Sequence, residues 1–302
     1  MDVVSNLLYL LVLLLAGIGG RRLGLLTESR ADVLTRFAFY LALPALVFTS
    51  TSTQSLGDVL EPRLIAGFWL VLLVVGAFGW VVHRRTSSPA TRSVAVVQSY
   101  HCNFGFLGLP ITAAAFGGVA TAKASVILGV GGLTQIPATV AVLALVNEAE
   151  ADLTEELREF LANPVIGALV LGFLCSALNV SVPGVVSNGL GALSQLALPA
   201  ALLAVGASLS LDTGAVDLPT VGSVVALKML LMPATALLAF SVLSADLSTT
   251  RAGVLMLAMP TAISTFIYAT ELGGDADLAS ANVFATTVAS VGTIFVVLQF
   301  VG

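Results

Sequence analysis

His101-Cys102-Asn103-Phe104-Gly105-Phe106-Leu107-Gly108-Leu109-Pro110 lies in the middle of an apolar run extending from about residue 92 to 117. A run of that length suffices for a membrane-spanning helix, which needs about 20 residues. Two glycines and a proline nevertheless stand where the helix should be most regular. Proline lacks an amide hydrogen and collides with the preceding turn, and glycine adopts backbone angles that other residues avoid. The helix is expected to open here, with a new half-helix starting at Pro110, whose fixed φ suits a first turn. A second run, near 251 to 271, repeats the device with Met259-Pro260-Thr261.

The surrounding chain has the composition of a membrane protein. Of its 302 residues 58% are hydrophobic and 10% charged, against about 25% charged in soluble chains, and mean hydropathy is +1.04. Apolar runs fall near 4–20, 32–52, 63–82, 92–117, 123–146, 162–180, 189–210, 218–243, 251–271 and 280–301. Ten spans of about 20 residues use most of the chain, so an all-α polytopic protein of ten transmembrane helices is expected, with no room for an appended soluble domain. The net charge is -5 and the basic residues never cluster beyond pairs, which disfavours a nucleic-acid partner. Cys102 and Cys175 both fall in apolar runs; two buried thiols make neither a disulfide framework nor a zinc site. No metal or cofactor is expected.

Basic residues orient the spans. Asp2 stands where a signal peptide would carry a basic residue, and Arg21 and Arg22 follow the first run, so that run reads as a retained helix with its N-terminus outside. The inner side then receives Arg21, Arg22, Arg30, Arg36, Arg84, Arg85, Arg92 and Arg158, and the outer side Arg63, Lys123 and Arg251. Both termini are expected outside a plasma membrane. The acidic stretch 147–160, carrying Glu148, Glu150, Asp152, Glu155, Glu156 and Glu159, reads as a solvated helical linker on the cytoplasmic side.

The linker separates two similar halves. Leu41-Ala42-Leu43-Pro44-Ala45 recurs as Leu196-Ala197-Leu198-Pro199-Ala200, Leu109-Pro110-Ile111-Thr112 has a counterpart in Met259-Pro260-Thr261-Ala262, and Ala124-Ser125-Val126 resembles Ala281-Asn282-Val283. Matches in one order at a nearly constant offset indicate duplication. Five spans per copy is odd, so the second copy enters the membrane from the opposite side. The expected architecture is a five-plus-five inverted repeat, residues 1–146 and 161–302, which is a transporter plan.

Because the two interrupted spans run in opposite directions, the half-helices beyond the breaks both begin near the bilayer midplane. Each helix N-terminus acts as about half a positive charge with free amide hydrogens, so the pair suits a carboxylate. Asn103, Gly105, Gly108, Pro110, Pro260 and Thr261 are the expected substrate-binding positions. Lys228 lies mid-span, where a lysine costs roughly 2.5 to 3.5 kcal/mol on insertion scales. It is expected to pair with a carbonyl at a broken helix, attract the anion, or snorkel. His101 is a candidate proton carrier, and Gln195, Ser208, Gln98 and Gln135 are candidate cavity polars. Glu271 reads as an interfacial cap. No Asp or Glu lies near either break, which disfavours cation antiport. Zinc-protease, nucleophile-elbow and P-loop motifs are absent from the sequence, so an enzyme is not expected.

The stretch from Asn103 to Pro110 resembles the Asn-x-Gly-x-x-Gly-x-Pro motif of the auxin efflux carrier family, which includes plant PIN transporters and bacterial dicarboxylate carriers. Leu43-Pro44-Ala45-Leu46, Leu198-Pro199, Gly206-Ala207-Ser208-Leu209, Lys228 before Pro233, and Met259-Pro260-Thr261-Ala262 are similar too. The resemblance implies crossed broken helices four and nine that bind an organic anion. It also implies an elevator-like displacement of spans three to five and eight to ten against spans one, two, six and seven. Pro44 and Pro199 are the expected hinges. Proton or sodium coupling and a homodimer are both left open. The alternatives are a sodium-coupled symporter of the bile acid type, whose sites would demand more acidic ligands at the crossover, and a non-transporting receptor.

Single cysteines placed between 147 and 160 should react with an impermeant thiol reagent only after the membrane is opened. Labelling in intact cells would overturn the topology.

Overall fold

The computed structural model describes residues 3–86, 88–209 and 217–302, which are almost wholly helical. Asp2 and the C-terminal end of the seventh run, residue 210, lie outside the described residues. In chain order the helices are α1 (Val3–Arg22), α2 (Glu28–Phe37), α3 (Leu43–Thr51), α4 (Leu56–Val59), α5 (Pro62–His83), α6 (Pro89–Tyr100), α7 (Leu109–Phe116), α8 (Gly118–Asn147) and α9 (Leu153–Leu161). They continue with α10 (Pro164–Ala177), α11 (Gly184–Gln195), α12 (Ala197–Ser208), α13 (Leu218–Ala226), α14 (Met232–Val242), α15 (Leu247–Leu257), α16 (Ser264–Glu271) and α17 (Ala276–Val301). Among the described residues six stretches are long and apolar enough to cross a membrane, namely Glu28–Thr51, Leu56–His83, Gly118–Asn147, Gly184–Ser208, Leu218–Val242 and Ala276–Val301. A seventh arises if α9 and α10, bent by 54°, act as one span.

Local chemistry sets the helix ends. Side-chain oxygens of Thr27, Ser88, Asp152, Asn163, Asp246 and Asp275 cap the starts of α2, α6, α9, α10, α15 and α17, satisfying amides that have no intrahelical acceptor. Pro62, Pro89 and Pro164 open α5, α6 and α10, where the missing N–H is no loss. Gly117, at φ 61°, is the single residue between α7 and α8. Residues with a Cβ rarely adopt that angle.

Three proline-containing helices carry the same adaptation. Single π-helical turns occupy Ala38–Ala42, Phe104–Gly108 and Leu227–Leu231, and each ends two residues before a proline: Pro44, Pro110 and Pro233. In each case the amide directly before the proline reaches back five residues, Leu43 to Ala38, Leu109 to Phe104 and Met232 to Leu227. The wider turn gives room for a ring that would otherwise strike the carbonyl four residues earlier. Pro44, one of the expected hinges, thus sits in an unbroken stretch. Pro199 lies beside a real interruption, since Leu196 separates α11 from α12.

Packing gathers the helices into two groups. In the first, α1 runs along α12, and α3 lies against α10 and α11. The first pair touches closely: a Cβ on Gly17 would stand 2.9 Å from the Gly206 Cα. In the second group α8 packs on α6 and α15, α14 on α5 and α15, and α17 on α13 and α16.

An ionic cluster ties α5, α8 and α15 together. Lys123, 2% exposed, places Nζ 2.8 Å from Asp246 Oδ2, 3.2 Å from Glu61 Oε2 and 2.6 Å from Thr249 Oγ1. The Thr249 hydroxyl also meets the Glu61 carboxylate. Burial alone would raise the Asp246 carboxyl, but hydrogen bonds with Glu61, Lys123, Ser248 and the Thr249 amide outweigh it and hold the group well below the usual carboxylate range. A carboxyl lowered in this way stabilises the fold above its unfolded value, and that contribution is lost as pH falls toward the folded one.

Removing one partner of a fully buried ion pair costs about 3 to 5 kcal/mol. The half-exposed Asp246 side chain reduces this through solvent screening, to about 2 kcal/mol. Lys123→Met should therefore lower the thermal midpoint in detergent by several degrees at neutral pH, with the deficit shrinking in acid. An unchanged midpoint would show that the cluster does not hold the three helices.

Candidate functional site: the crossover

The two interrupted spans meet where their helices stop. α6 ends at Tyr100 and His101 turns to extended backbone (φ -73°, ψ 115°), while α15 ends at Leu257. Between the two ends Cys102 and Thr261 form an isolated antiparallel bridge, and Asn103 N donates to Pro260 O at 2.8 Å. A two-residue piece of sheet thus closes a gap where neither helix can supply partners.

The half-helices beyond the bridge start elsewhere than expected. One begins at Phe104, with Asn103 Oδ1 accepting from the Phe106 amide at 3.1 Å. Pro110 lies in the second turn, following the π-helical turn that accommodates it. The other begins at Ser264, three residues beyond the bridged Thr261, and carries no side-chain cap. Pro260 contributes its carbonyl to the crossover and does not start the helix. Asparagine as an N-cap, an ordinary sequence signal, already marked the true start of the first half-helix.

Side chains from the following helices brace the crossing. Gln135 of α8 accepts from the Cys102 amide (3.0 Å), and Thr286 of α17 accepts from the Thr261 amide (3.3 Å). Thr261 Oγ1 donates to Gln98 O at 2.7 Å. The Gln98 amide nitrogen donates to Thr265 Oγ1 (2.9 Å) and Ala279 O (3.1 Å), and its oxygen accepts from Asn282 Nδ2 (2.8 Å). All of these groups are fully buried. The Ala279 carbonyl fixes the Gln98 orientation and hence that of Asn282, whose Oδ1 has no partner among the described residues. Gly108 allows α15 to approach, since a Cβ there would lie 2.6 Å from Met256 Sδ; Gly105 meets nothing closer than 3.8 Å.

Lys228, fully buried, reaches this crossing from the π-helical turn of the α13–α14 span. Its Nζ lies 3.0 Å from Tyr100 O, 2.7 Å from Cys102 Sγ and 3.1 Å from Met232 Sδ. Among the expected roles, the contact with a carbonyl at a broken helix is made. His101 Nδ1 pairs with Thr139 Oγ1 at 2.8 Å, and Thr139 also meets the Tyr100 hydroxyl at 3.3 Å. Gln195 and Ser208 lie elsewhere: Gln195 is exposed at the end of α11, and Ser208 is exposed at the end of α12 with its hydroxyl on Val205 O. Cys102 is buried as expected, and Cys175 is only half-buried.

The crossover is closed in this conformation. Beside Leu107, Ile111, Thr287 and Ser290 there is a cavity of about 20 Å³, walled by α1 and α12 on the other side; that holds about one water molecule. A larger cavity of about 390 Å³ lies apart from the crossover, between the Ser52–Leu56 segment and the end of α10 at Cys175–Val180.

A helical chain with several apolar spans and a buried crossing of two interrupted apolar segments has the build of a multi-pass membrane protein. It belongs to the membrane transport protein family, that of the auxin efflux carriers, whose model matches residues 2–159 and 153–298. The chain is 27% identical to an uncharacterized transporter of Methanothermobacter thermautotrophicus over 301 residues, covering 96% of this chain and 95% of the other. It is also 27% identical to a putative malonate transporter of Rhizobium meliloti over 270 residues (86% and 84%). A third relative is an uncharacterized transporter of Methanocaldococcus jannaschii, 25% identical over 300 residues (95% and 94%).

Gln98→Leu keeps the volume but orphans the buried Asn282 amide nitrogen, at about 1 to 3 kcal/mol for an unsatisfied group, while the Thr265 hydroxyl keeps its bond to Ala262 O. The variant should melt markedly lower than wild type in detergent. Equal melting would mean that the brace does not stabilise the crossing.

Proposed function

We propose that the protein is a secondary carrier of organic anions across the plasma membrane. The observation that carries this reading is the crossing itself: two interrupted helices bridged through Cys102 and Thr261, with half-helices leading away from Phe104 and Ser264. On this reading the chain has ten spans as a five-plus-five inverted repeat, residues 1–146 and 161–302, with both ends outside and the 147–160 linker inside. The pairing of α1 with α12 and of α3 with α10 supports a two-fold relation between the halves.

The substrate carboxylate is held by the two helix N-termini, which supply about one positive charge between them. The start of α16 has no side-chain cap, and the Asn103 amide nitrogen makes no hydrogen bond among the described residues, because the oxygen of that side chain does the capping. Asn103, Gly105, Gly108, Pro110, Pro260 and Thr261 line or shape this place, and Lys228 raises its potential. The name of the Rhizobium relative makes malonate the first acid to try; Phe104 and Phe106 would also suit a more apolar acid. Because the crossover is closed, access requires the helices around it to shift against α1 and α12, an elevator-like displacement.

Saturable uptake of a labelled organic acid by the reconstituted protein is the expected result, and absence of uptake across a panel of acids would refute the reading. Asn103→Asp keeps the capping oxygen but replaces the free amide with a second anion. It should reach the membrane folded and lose at least about tenfold in apparent affinity, equal to about 1.4 kcal/mol. Asn103→Ala loses the cap as well and should also melt lower, by about 1 kcal/mol. Wild-type affinity in Asn103→Asp would remove the anion from this position.

A further inference from the structure

We propose that Lys228 is the proton-coupling residue of this carrier, a tethered amine that takes up one proton with each organic anion, becoming an ammonium, and gives it up when the anion leaves. The inference rests on the carrier reading and specifies how transport is driven.

The first support is the set of partners around Nζ. Tyr100 O, Cys102 Sγ and Met232 Sδ are three acceptors for the three hydrogens of an ammonium, and none of them is a carboxylate. The turn that carries the lysine packs against α5, α6, α13, α14 and α17. On α5, Arg63 donates to Ser244 O and His83 pairs with Gly79 O and Ser223. α6 contributes Arg92 and Tyr100, with His101 and Cys102 just beyond it, and α17 carries Asp277 in its first turn. No Asp or Glu pairs with Lys228 among the described residues, although Lys123 meets two.

A buried ammonium without a counter-ion is costly. The C-terminus of α6 offers about half a negative charge through Tyr100 O. The rest of the compensation must come from an anion, and the proposed substrate site begins at Asn103, next to the Cys102 that Nζ touches. The ammonium and the carboxylate therefore favour each other, and by linkage each strengthens the binding of the other by one factor. The amine takes its proton from water on the side where the acid enters and returns it to water on the other side; only an N–H bond forms and breaks. A monocarboxylate would cross without net charge, and malonate dianion with one net negative charge.

The position of the lysine is built for this contact. The π-helical turn Leu227–Leu231, widened ahead of Pro233, contains Lys228, and such turns often mark functional positions in helices. A permanent structural cap of Tyr100 O is already available, since Gln135 Nε2 reaches the same carbonyl at 3.3 Å.

The test uses the full chain in proteoliposomes with labelled malonate and malate as probes, uptake by protein-free vesicles subtracted, the membrane potential clamped, and uptake read with and without an inward proton gradient. Wild type should accumulate its acid by up to about tenfold per pH unit of gradient, since one pH unit is 1.36 kcal/mol. Lys228→Arg, whose side chain stays charged, should keep measurable exchange of labelled for unlabelled acid but lose gradient-driven accumulation. Lys228→Met should lose accumulation too, and the arginine variant decides the matter if the methionine variant fails to fold. A merely structural lysine would not separate exchange from accumulation. Uptake indifferent to the gradient would overturn the inference and leave the carrier reading intact, and so would gradient-driven accumulation by Lys228→Arg. Wild-type failure to take up any of the acids would overturn both.

Discussion

Everything in this molecule is arranged around a short piece of backbone that would otherwise be unsatisfied in the membrane interior. Where α6 and α15 stop, their amides and carbonyls lose intrahelical partners at a place buried from water. The Cys102–Thr261 bridge, the Asn103 to Pro260 hydrogen bond, and the side chains of Gln135, Thr286 and Gln98 supply those partners. The helices that deliver the braces must then lie where they do: α8 beside α6, and α17 beside α16. An irregular backbone at this depth is costly to build, and its cost is explained if the place handles a polar solute.

Proline shapes the fold in three different ways. At Pro62, Pro89 and Pro164 it opens helices. At Pro44, Pro110 and Pro233 it is absorbed by a π-helical turn that leaves the span continuous past it. At Pro260 it lies in extended chain and offers only its carbonyl. The residue type is the same, and its backbone neighbours decide the outcome.

That diversity explains what was legible beforehand. Glycine and proline in two apolar runs located both interruptions, because each residue acts locally through its own backbone. The starting residue of each half-helix was misjudged: Pro110 and Pro260 suggested first turns, whereas Asn103 caps one half-helix and the other begins at Ser264. Lys228 was recognisable as a residue in need of a partner, but its contacts with Tyr100 and Cys102 join positions more than 120 residues apart. The Lys123, Glu61 and Asp246 cluster was hidden for the same reason, each residue resembling an ordinary loop-end charge. Gln195 and Ser208 looked like cavity residues by span and polarity, and the structure places both, exposed, at the ends of α11 and α12.

The anion-site account depends on the two interrupted spans meeting through Cys102 and Thr261, and cross-linking tests that contact most directly. Native Cys102 paired with Thr261→Cys, in a Cys175→Ser background with a protease site inserted between residues 148 and 152, places two thiols across an antiparallel pair, within disulfide reach. After oxidation and cleavage the halves should migrate as one species on a non-reducing gel and separate on reduction. Halves that separate without reductant would contradict the crossing and, with it, the site built upon it.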